Sequence, residues 1–135
     1  MRVSEIMNPV TAVVGGTHTL RQVAARMVQH NTGAAIVIDN DHPGPAVINE
    51  RHILRAIARG LDPDVERAED HLRDELITAS PELPVEEAAA LMVKHSVRHV
   101  LVFDGPDLVG VLSMRDVVRV LRLEVVRDVV GVDAD

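Results

Sequence analysis

The chain repeats itself, and this internal repeat limits its fold more than any other feature of its 135 residues. The segment LRQVAARMVQHNTGAAIVID (20–39) aligns without a gap with VEEAAALMVKHSVRHVLVFD (85–104), so that Met27 matches Met92. After a turn one residue shorter, PAVINERHILRAI (45–57) matches VGVLSMRDVVRVL (109–121). We expect two copies of one supersecondary unit.

Each copy has the same predicted order of elements. Thr19 and Gln22 form the signature of a capping box before the first helix, and Pro84 suits the start of its counterpart. Apolar residues recur at helical spacing in both copies: Leu20, Val23, Ala24, Met27 and Val28, then Val85, Ala88, Ala89, Met92 and Val93. Two β-branched runs around a polar turn then predict a hairpin, and a second helix closes each copy.

These elements predict an α+β fold made of two β-α-β-β-α units, because a short strand (VTAVV, then LITA) also precedes each first helix. A unit of about 50 to 60 residues is too small to bury both faces of its sheet. We therefore expect two pseudo-twofold-related units packed sheet to sheet. The predicted boundaries are unit 1 at 1–60, a linker with a short helix at 61–71, and unit 2 with its C-terminal helix at 72–135.

Composition excludes several classes of protein. Fourteen basic against 21 acidic residues give a net charge of −7, which disfavours nucleic acid and anionic membranes as partners. The absence of Cys excludes disulfides, thiolate nucleophiles and Cys-ligated metals, and Phe103 is the only aromatic residue on which a base could stack. Without a membrane-length apolar run or a signal-like start, we expect a cytoplasmic protein.

The segment GVLSMRD in the second copy contains the residues that most clearly indicate ligand binding. Gly110 leaves room for a flat ligand on a strand, and Ser113 and Asp116 lie one helical turn apart at a helix N-terminus. A carboxylate accepts hydrogen bonds from vicinal hydroxyls such as those of ribose. The structural alternative is that Ser113 caps the helix and Asp116 is its capping-box partner, with no ligand involved.

The arrangement as a whole resembles a tandem cystathionine-β-synthase (CBS) domain pair, or Bateman module, over nearly the entire chain. GVLSMRD (110–116) matches the family's ribose-binding pattern of Gly, a hydrophobic residue, any residue, Thr or Ser, two residues and Asp. SEIMNPVTAV and RHVLVFD are similar to the family's entry into its first strand and to its second strand. The short stand-alone form is similar to the bacterial type seen in hypoxic response proteins.

The resemblance implies a regulatory or sensor module rather than an enzyme, with no required cofactor. Its ligand would be AMP, ADP, ATP or another adenosyl compound, bound between the two CBS units. The implied roles are ribose binding at Asp116 with Ser113 in support, phosphate contact at Arg98 and His99, and an adenine slot in the other copy at Val10, Thr11, Ala12 and Gly33. The alternative for Arg98 is a solvated strand-end charge, and for His99 a partly buried, hydrogen-bonded side chain.

The first copy departs from the binding pattern. Ala46, Asn49 and His52 stand where the second copy has Gly110, Ser113 and Asp116, and Gly33 and Ala34 replace Arg98 and His99. A neutral imidazole offers one acceptor where a carboxylate offers several. We therefore expect one ligand per chain. The site at His52 is either open but degenerate, or closed, with Asn49 capping the helix and His52 facing solvent.

Two other classes of function stay open: an interaction or scaffold module whose sites are vestigial, and a small enzyme or metal protein using the histidines. No HxxxH or HExxH spacing occurs among His18, His30, His42, His71 and His95, so we predict no metal site. We expect a homodimer, and an unidentified protein partner also stays open. The homodimer is expected because the C-terminal helix has more apolar residues than one core-facing stripe needs: Val117, Val118, Val120, Leu121, Leu123, Val125, Val126, Val129 and Val130.

Overall fold

A computed structural model describes residues 1–41, 44–72 and 76–121. Its helices are α1 (Val3–Ile6), α2 (Leu20–Gln29), α3 (Glu50–Ala58), a 3₁₀ helix (Ala68–His71), α4 (Val85–His95) and α5, described over 114–121. Its strands are β1 (Val13–Val14), β2 (Ala34–Val37), β3 (Ala46–Asn49), β4 (Thr78–Ala79), β5 (His99–Asp104) and β6 (Asp107–Ser113).

The strands form two three-stranded sheets of identical topology. In each sheet a short first strand runs parallel to the second, and the second pairs antiparallel with the third. The predicted α+β class and the β-α-β-β-α order of both copies are confirmed. Thr19 and Gln22 form the predicted capping box of α2, and Gly60 ends α3 with a φ of +79°, a conformation that costs glycine little.

The chain divides into two compact units that do not coincide with the predicted boundaries. The first unit is Val10–Leu76, and the second combines Met1–Pro9 with the chain from Ile77 onward. Residues 61–71, predicted as a linker, belong to the first unit, because Ala68 is fully buried in its core and Leu61 packs against that core. The predicted short helix of this segment is the 3₁₀ helix.

The N-terminal segment is integral to the second unit, a placement that the sequence analysis missed together with α1. Val3 is fully buried in the second unit's core, and its amide donates to the carbonyl of Leu83 at 2.9 Å. Asn8 pairs with Val111 of β6 through two backbone hydrogen bonds, each 2.9 Å long. The segment therefore adds both a core side chain and a backbone partner to the second sheet.

Gly110 is required by this packing. A Cβ at Gly110 would lie 2.6 Å from Sδ of Met7 and 3.0 Å from the backbone oxygen of Asn8. The close approach that we expected of a ligand is therefore made by the chain's own N-terminal segment. The packing of Met7 and Asn8 explains the glycine, and a ligand contact at Gly110 stays a prediction.

Part of the predicted apolar tail lies in the described structure. Val117 is buried in the second unit's core, whereas Val118 and Leu121 are exposed. Leu123, Val125, Val126, Val129 and Val130 lie outside the described residues. Over the described ranges, the helices lack the length and apolar character needed to cross a membrane.

We predict that Gly110→Ala destabilises the protein by about 1–3 kcal/mol, because a methyl group there must displace Met7 and the backbone of Asn8. Gly44→Ala is the matched control, since no atom lies within 4 Å of a Cβ at Gly44. It should stay within about 1 kcal/mol of the unmodified protein. Chemical denaturation of both variants is the measurement, and equal stabilities would contradict the packing argument.

Candidate functional site

The candidate site is built on the sharp corner where β6 becomes α5. Ser113 is the last residue of β6, and the helix starts at the next residue. Ser113 Oγ accepts from the backbone amide of Asp116 at 3.2 Å, and Asp116 Oδ2 accepts from the backbone amide of Ser113 at 3.0 Å. The capping box proposed as the structural alternative is therefore present.

Asp116 is only 8% exposed, and its two carboxylate oxygens have different surroundings. Oδ2 accepts three hydrogen bonds: from the backbone amide of Ser113, from Ser113 Oγ at 2.7 Å, and from Nδ2 of Asn8 at 2.9 Å. Oδ1 accepts none from any residue in the described ranges. One carboxylate oxygen thus holds the corner together, and the other is left for a further donor.

Arg98 and His99 lie at the same corner. The backbone carbonyl of Arg98 accepts from the amide of Met114 at 2.8 Å, and His99 stands opposite Ser113 in the β5–β6 register. The Arg98 side chain is exposed, and His99 is half-buried. The structure therefore brings the backbones of Arg98, His99, Ser113 and Asp116 to one corner. A basic residue whose backbone bonds a helix N-terminus suits an anion.

The first unit repeats this corner with different side chains. Asn49 Oδ1 accepts from the amide of His52 at 3.0 Å, and Nδ1 of His52 accepts from the amide of Asn49 at 3.1 Å. The amide of Glu50 donates to the carbonyl of Gly33 at 2.9 Å, as Met114 does to Arg98. His52 is only 8% exposed, so the expectation that it faces solvent is wrong, whereas capping by Asn49 is observed.

The two corners differ in charge at one matched position. A Cβ at Gly33 would lie 3.2 Å from the carboxylate carbon and from Oε1 of Glu50, so this carboxylate lies against the glycine. The repeat aligns Gly33 with Arg98, and Glu50 with Met114. The second corner therefore has a basic residue at the position where the first has a glycine beside a carboxylate.

The predicted adenine contacts all belong to the first unit. Val10, Thr11 and Ala12 lead into β1, and the carbonyl of Ala12 accepts from the amide of Ile36 at 2.8 Å. Gly33 immediately precedes β2. Ala12 is buried, Val10 half-buried and Thr11 exposed, and their contact with a base stays a prediction.

Asn8 is the polar residue at this site that sequence reasoning missed. It lies in the segment SEIMNPVTAV, but its contact with Asp116 spans 108 positions of the chain. No local pattern links two residues so far apart. A prediction of the pairing between residues 8 and 111 would have been needed to find it.

The histidines do not assemble a metal centre in the part of the chain that the structure describes. Nδ1 of His18 accepts from the amide of Gly15 at 2.9 Å, and Nε2 of His71 lies 3.2 Å from a carboxylate oxygen of Glu66. His30 and His95 stand at the C-terminal ends of α2 and α4, as expected. His42 lies outside the described residues.

Comparison with known proteins agrees with this architecture. Hypoxic response protein 1 of Mycobacterium tuberculosis is 30% identical over 116 residues, which are 85% of this chain and 81% of that protein. An uncharacterized Methanopyrus kandleri protein is 28% identical over 106 residues, which are 77% of this chain and only 54% of that protein. The chain thus spans about half the length of the second relative.

Among solved structures, the CBS domain protein PAE2072 from Pyrobaculum aerophilum complexed with AMP is 39% identical, with a TM-score of 0.76. The similarity covers 86% of this chain and 89% of that one. The CBS domain model matches residues 3–59 and 68–123, one match for each copy of the repeat. With two matched copies that account for most of its length, the chain belongs to the CBS domain family.

Proposed function

We propose that the protein is a regulatory module that binds an adenine nucleotide or another adenosyl compound, with the ribose at Asp116. The observation that carries the proposal is the buried Asp116 carboxylate, whose Oδ2 is engaged by three donors while Oδ1 accepts none within the described structure. An acceptor of this kind, on a rigid corner beside Arg98, suits a ligand with both hydroxyl and phosphate groups. The AMP bound to the similar Pyrobaculum protein supports this ligand class.

Helix capping alone does not account for the choice of Asp116. Asn49 and His52 build a capping box of the same form at the corresponding corner of the first unit. The corner therefore tolerates an imidazole in the position of the carboxylate. A carboxylate differs in having further acceptor capacity after its capping bonds are made, and this capacity is what a ligand would use.

The remaining contacts are assigned by their chemistry. Arg98 meets a phosphate through its exposed guanidinium, and His99 is placed to assist because it stands opposite Ser113. The proposed function requires no catalytic step. The protein acts by binding its ligand and by the change that this binding produces in the protein's own contacts.

We also propose association with a second copy of the chain. Val28 and Val93, matched by the repeat, are 81% and 74% exposed on α2 and α4. Two further matched pairs are exposed on the second helix of each unit: Leu54 with Val118, and Ile57 with Leu121. Apolar residues exposed at the same positions in both units form two similar surfaces, which a second copy could cover with its own.

The first prediction for binding is that Asp116→Ala weakens AMP at least tenfold, because the variant loses the acceptor of charge-assisted hydrogen bonds from ribose. Asp107→Ala is the matched control, since it removes the same charge from an exposed position on β6, the strand that precedes the helix of Asp116. Calorimetric titration measures both, after thermal unfolding has shown that both variants fold. Equal affinity in the two variants would exclude Asp116 from the site.

A second variant keeps this test decisive if Asp116→Ala unfolds. Arg98→Gln changes an exposed side chain and should weaken AMP while leaving adenosine binding unchanged. If the unmodified chain binds neither AMP, ADP, ATP, S-adenosylmethionine nor NAD, the proposal of an adenosyl ligand is wrong. The interaction module with vestigial sites then becomes the better description.

We further predict one AMP per chain. The first unit lacks the ribose-binding carboxylate at His52 and places the Glu50 carboxylate where a phosphate-binding cation would be needed. Restoring the second-copy residues through Gly33→Arg, Glu50→Met and His52→Asp should add a second binding event. Two equivalent sites in the unmodified chain, measured by calorimetry, would refute the asymmetry between the units.

For the assembly, we predict a mass of two chains of 14.7 kDa at micromolar concentration. Leu54→Glu together with Val118→Glu should lower the mass to that of one chain, because both changes place charge on the exposed apolar helix faces. The control is Val65→Glu, at an exposed valine outside these helices. Sedimentation velocity measures all three proteins, and a single-chain mass for the unmodified protein would contradict the prediction.

A further inference from the structure

We propose that Asn8 is a specificity-determining residue of the ligand site. Its side-chain amide oxygen accepts a hydrogen bond from one ribose hydroxyl, and the Asp116 carboxylate accepts one from the other. This inference rests on the proposed function, which it deepens. It gives the N-terminal segment a role in recognition as well as in packing.

The carboxylate by itself has only one oxygen left to meet both hydroxyls of a ribose diol. Oδ2 of Asp116 already accepts from Asn8 Nδ2, from Ser113 Oγ and from the backbone amide of Ser113. These three donors fill the acceptor capacity of one carboxylate oxygen. The two hydroxyls would have to share Oδ1, unless a neighbouring group accepts from one of them.

Asn8 supplies that acceptor. Because an ionised carboxylate only accepts hydrogen bonds, the amide nitrogen of Asn8 must face Oδ2, and the amide oxygen must point elsewhere. This oxygen has no hydrogen-bond donor among the residues that the structure describes. Ser113 Oγ is the competing candidate, with one acceptor position left after it donates to Oδ2 and accepts from the amide of Asp116.

The position of Asn8 is fixed before any ligand arrives. Its amide donates to Val111 and its carbonyl accepts from Val111, both at 2.9 Å, so its backbone is held on β6. Its side chain is nevertheless exposed as well as bonded to Asp116. An acceptor that is both fixed in place and reachable from solvent binds with little loss of conformational entropy.

In this proposal, Asn8 enables the site to distinguish ribose from deoxyribose. A site built to bond a hydroxyl rejects a ligand that lacks the hydroxyl, because the polar group of the site is then left without its partner. The unmodified chain should therefore bind AMP at least tenfold more tightly than 2′-deoxy-AMP or 3′-deoxy-AMP. We call each of these losses of affinity relative to AMP a deoxy penalty. In Asn8→Ala the deoxy penalty should disappear for one of the two ligands, namely the one that lacks the hydroxyl bonded to Asn8.

The experiment measures the affinities of AMP, 2′-deoxy-AMP and 3′-deoxy-AMP for the full chain and its variants by calorimetry. Asn8→Ala should weaken AMP binding about tenfold. The affinities of AMP and of one deoxy ligand for this variant should agree to within about twofold. Ser4→Ala is the matched control, since it changes an exposed side chain of the same segment. It should preserve both penalties, and thermal unfolding of the two variants establishes that they remain folded.

The possible results separate this inference from the proposed function. If the unmodified chain binds AMP and Asn8→Ala keeps both deoxy penalties, Asn8 does not contact the ribose and the inference is overturned, while the proposed function stands. A loss of AMP affinity with both penalties intact shows a purely structural role and also overturns it. If the unmodified chain binds none of the three ligands, both the AMP site and the inference fall.

Discussion

The capping box at the strand-to-helix corner is the interaction on which the rest of the site depends. β6 ends at Ser113 and α5 starts at the next residue, so no loop separates strand from helix. The amides of Ser113 and Asp116 obtain their partners at this junction from the two side chains, while the amide of Met114 bonds the carbonyl of Arg98. The same bonds fix the position of the Asp116 carboxylate.

Comparison of the two corners shows how much of the choice of side chains at the helix start is explained by capping. Ser113 with Asp116 and Asn49 with His52 make equivalent bonds between N-cap and third helical residue. His52 uses Nδ1 for its capping bond, which leaves a neutral ring no second lone pair, since its other nitrogen then carries the proton. The capping function is therefore kept in the first unit, while its acceptor capacity for a hydroxyl pair is reduced.

The elements that could be predicted from sequence are those encoded locally. The apolar spacing of α2 and α4, the capping pair Thr19 and Gln22, and the two hairpins are patterns within about 20 residues of chain. The contacts of the N-terminal segment are different, since Asn8 meets Val111 and Asp116. The repeat predicts which elements occur but not which unit receives residues 1–9, because that choice depends on long-range packing such as the burial of Val3.

The same limit applies to the segment after α3 and to Gly110. An acidic stretch with Asp-Pro is typical of a solvated connection, yet Ala68 within it is fully buried, and one small residue gives no signal of this. A glycine at position 110 of a strand indicates a close approach. Its partner could not be identified from sequence, because a ligand and a distant strand both require the absence of a Cβ.

The charges at the second corner impose a direction on any nucleotide that binds there. Asp116 is almost buried, and its negative charge is stabilised by three donors and by the helix N-terminus. That carboxylate attracts hydroxyl donors but repels a phosphate, so the phosphate needs a cation of its own. In the function that we propose, Arg98 provides this cation from the neighbouring strand end, whereas the first unit has a glycine at the matched position, with the Glu50 carboxylate against it. Separate acceptor and cation positions would then orient a nucleotide with its ribose toward the capping box and its phosphate toward Arg98.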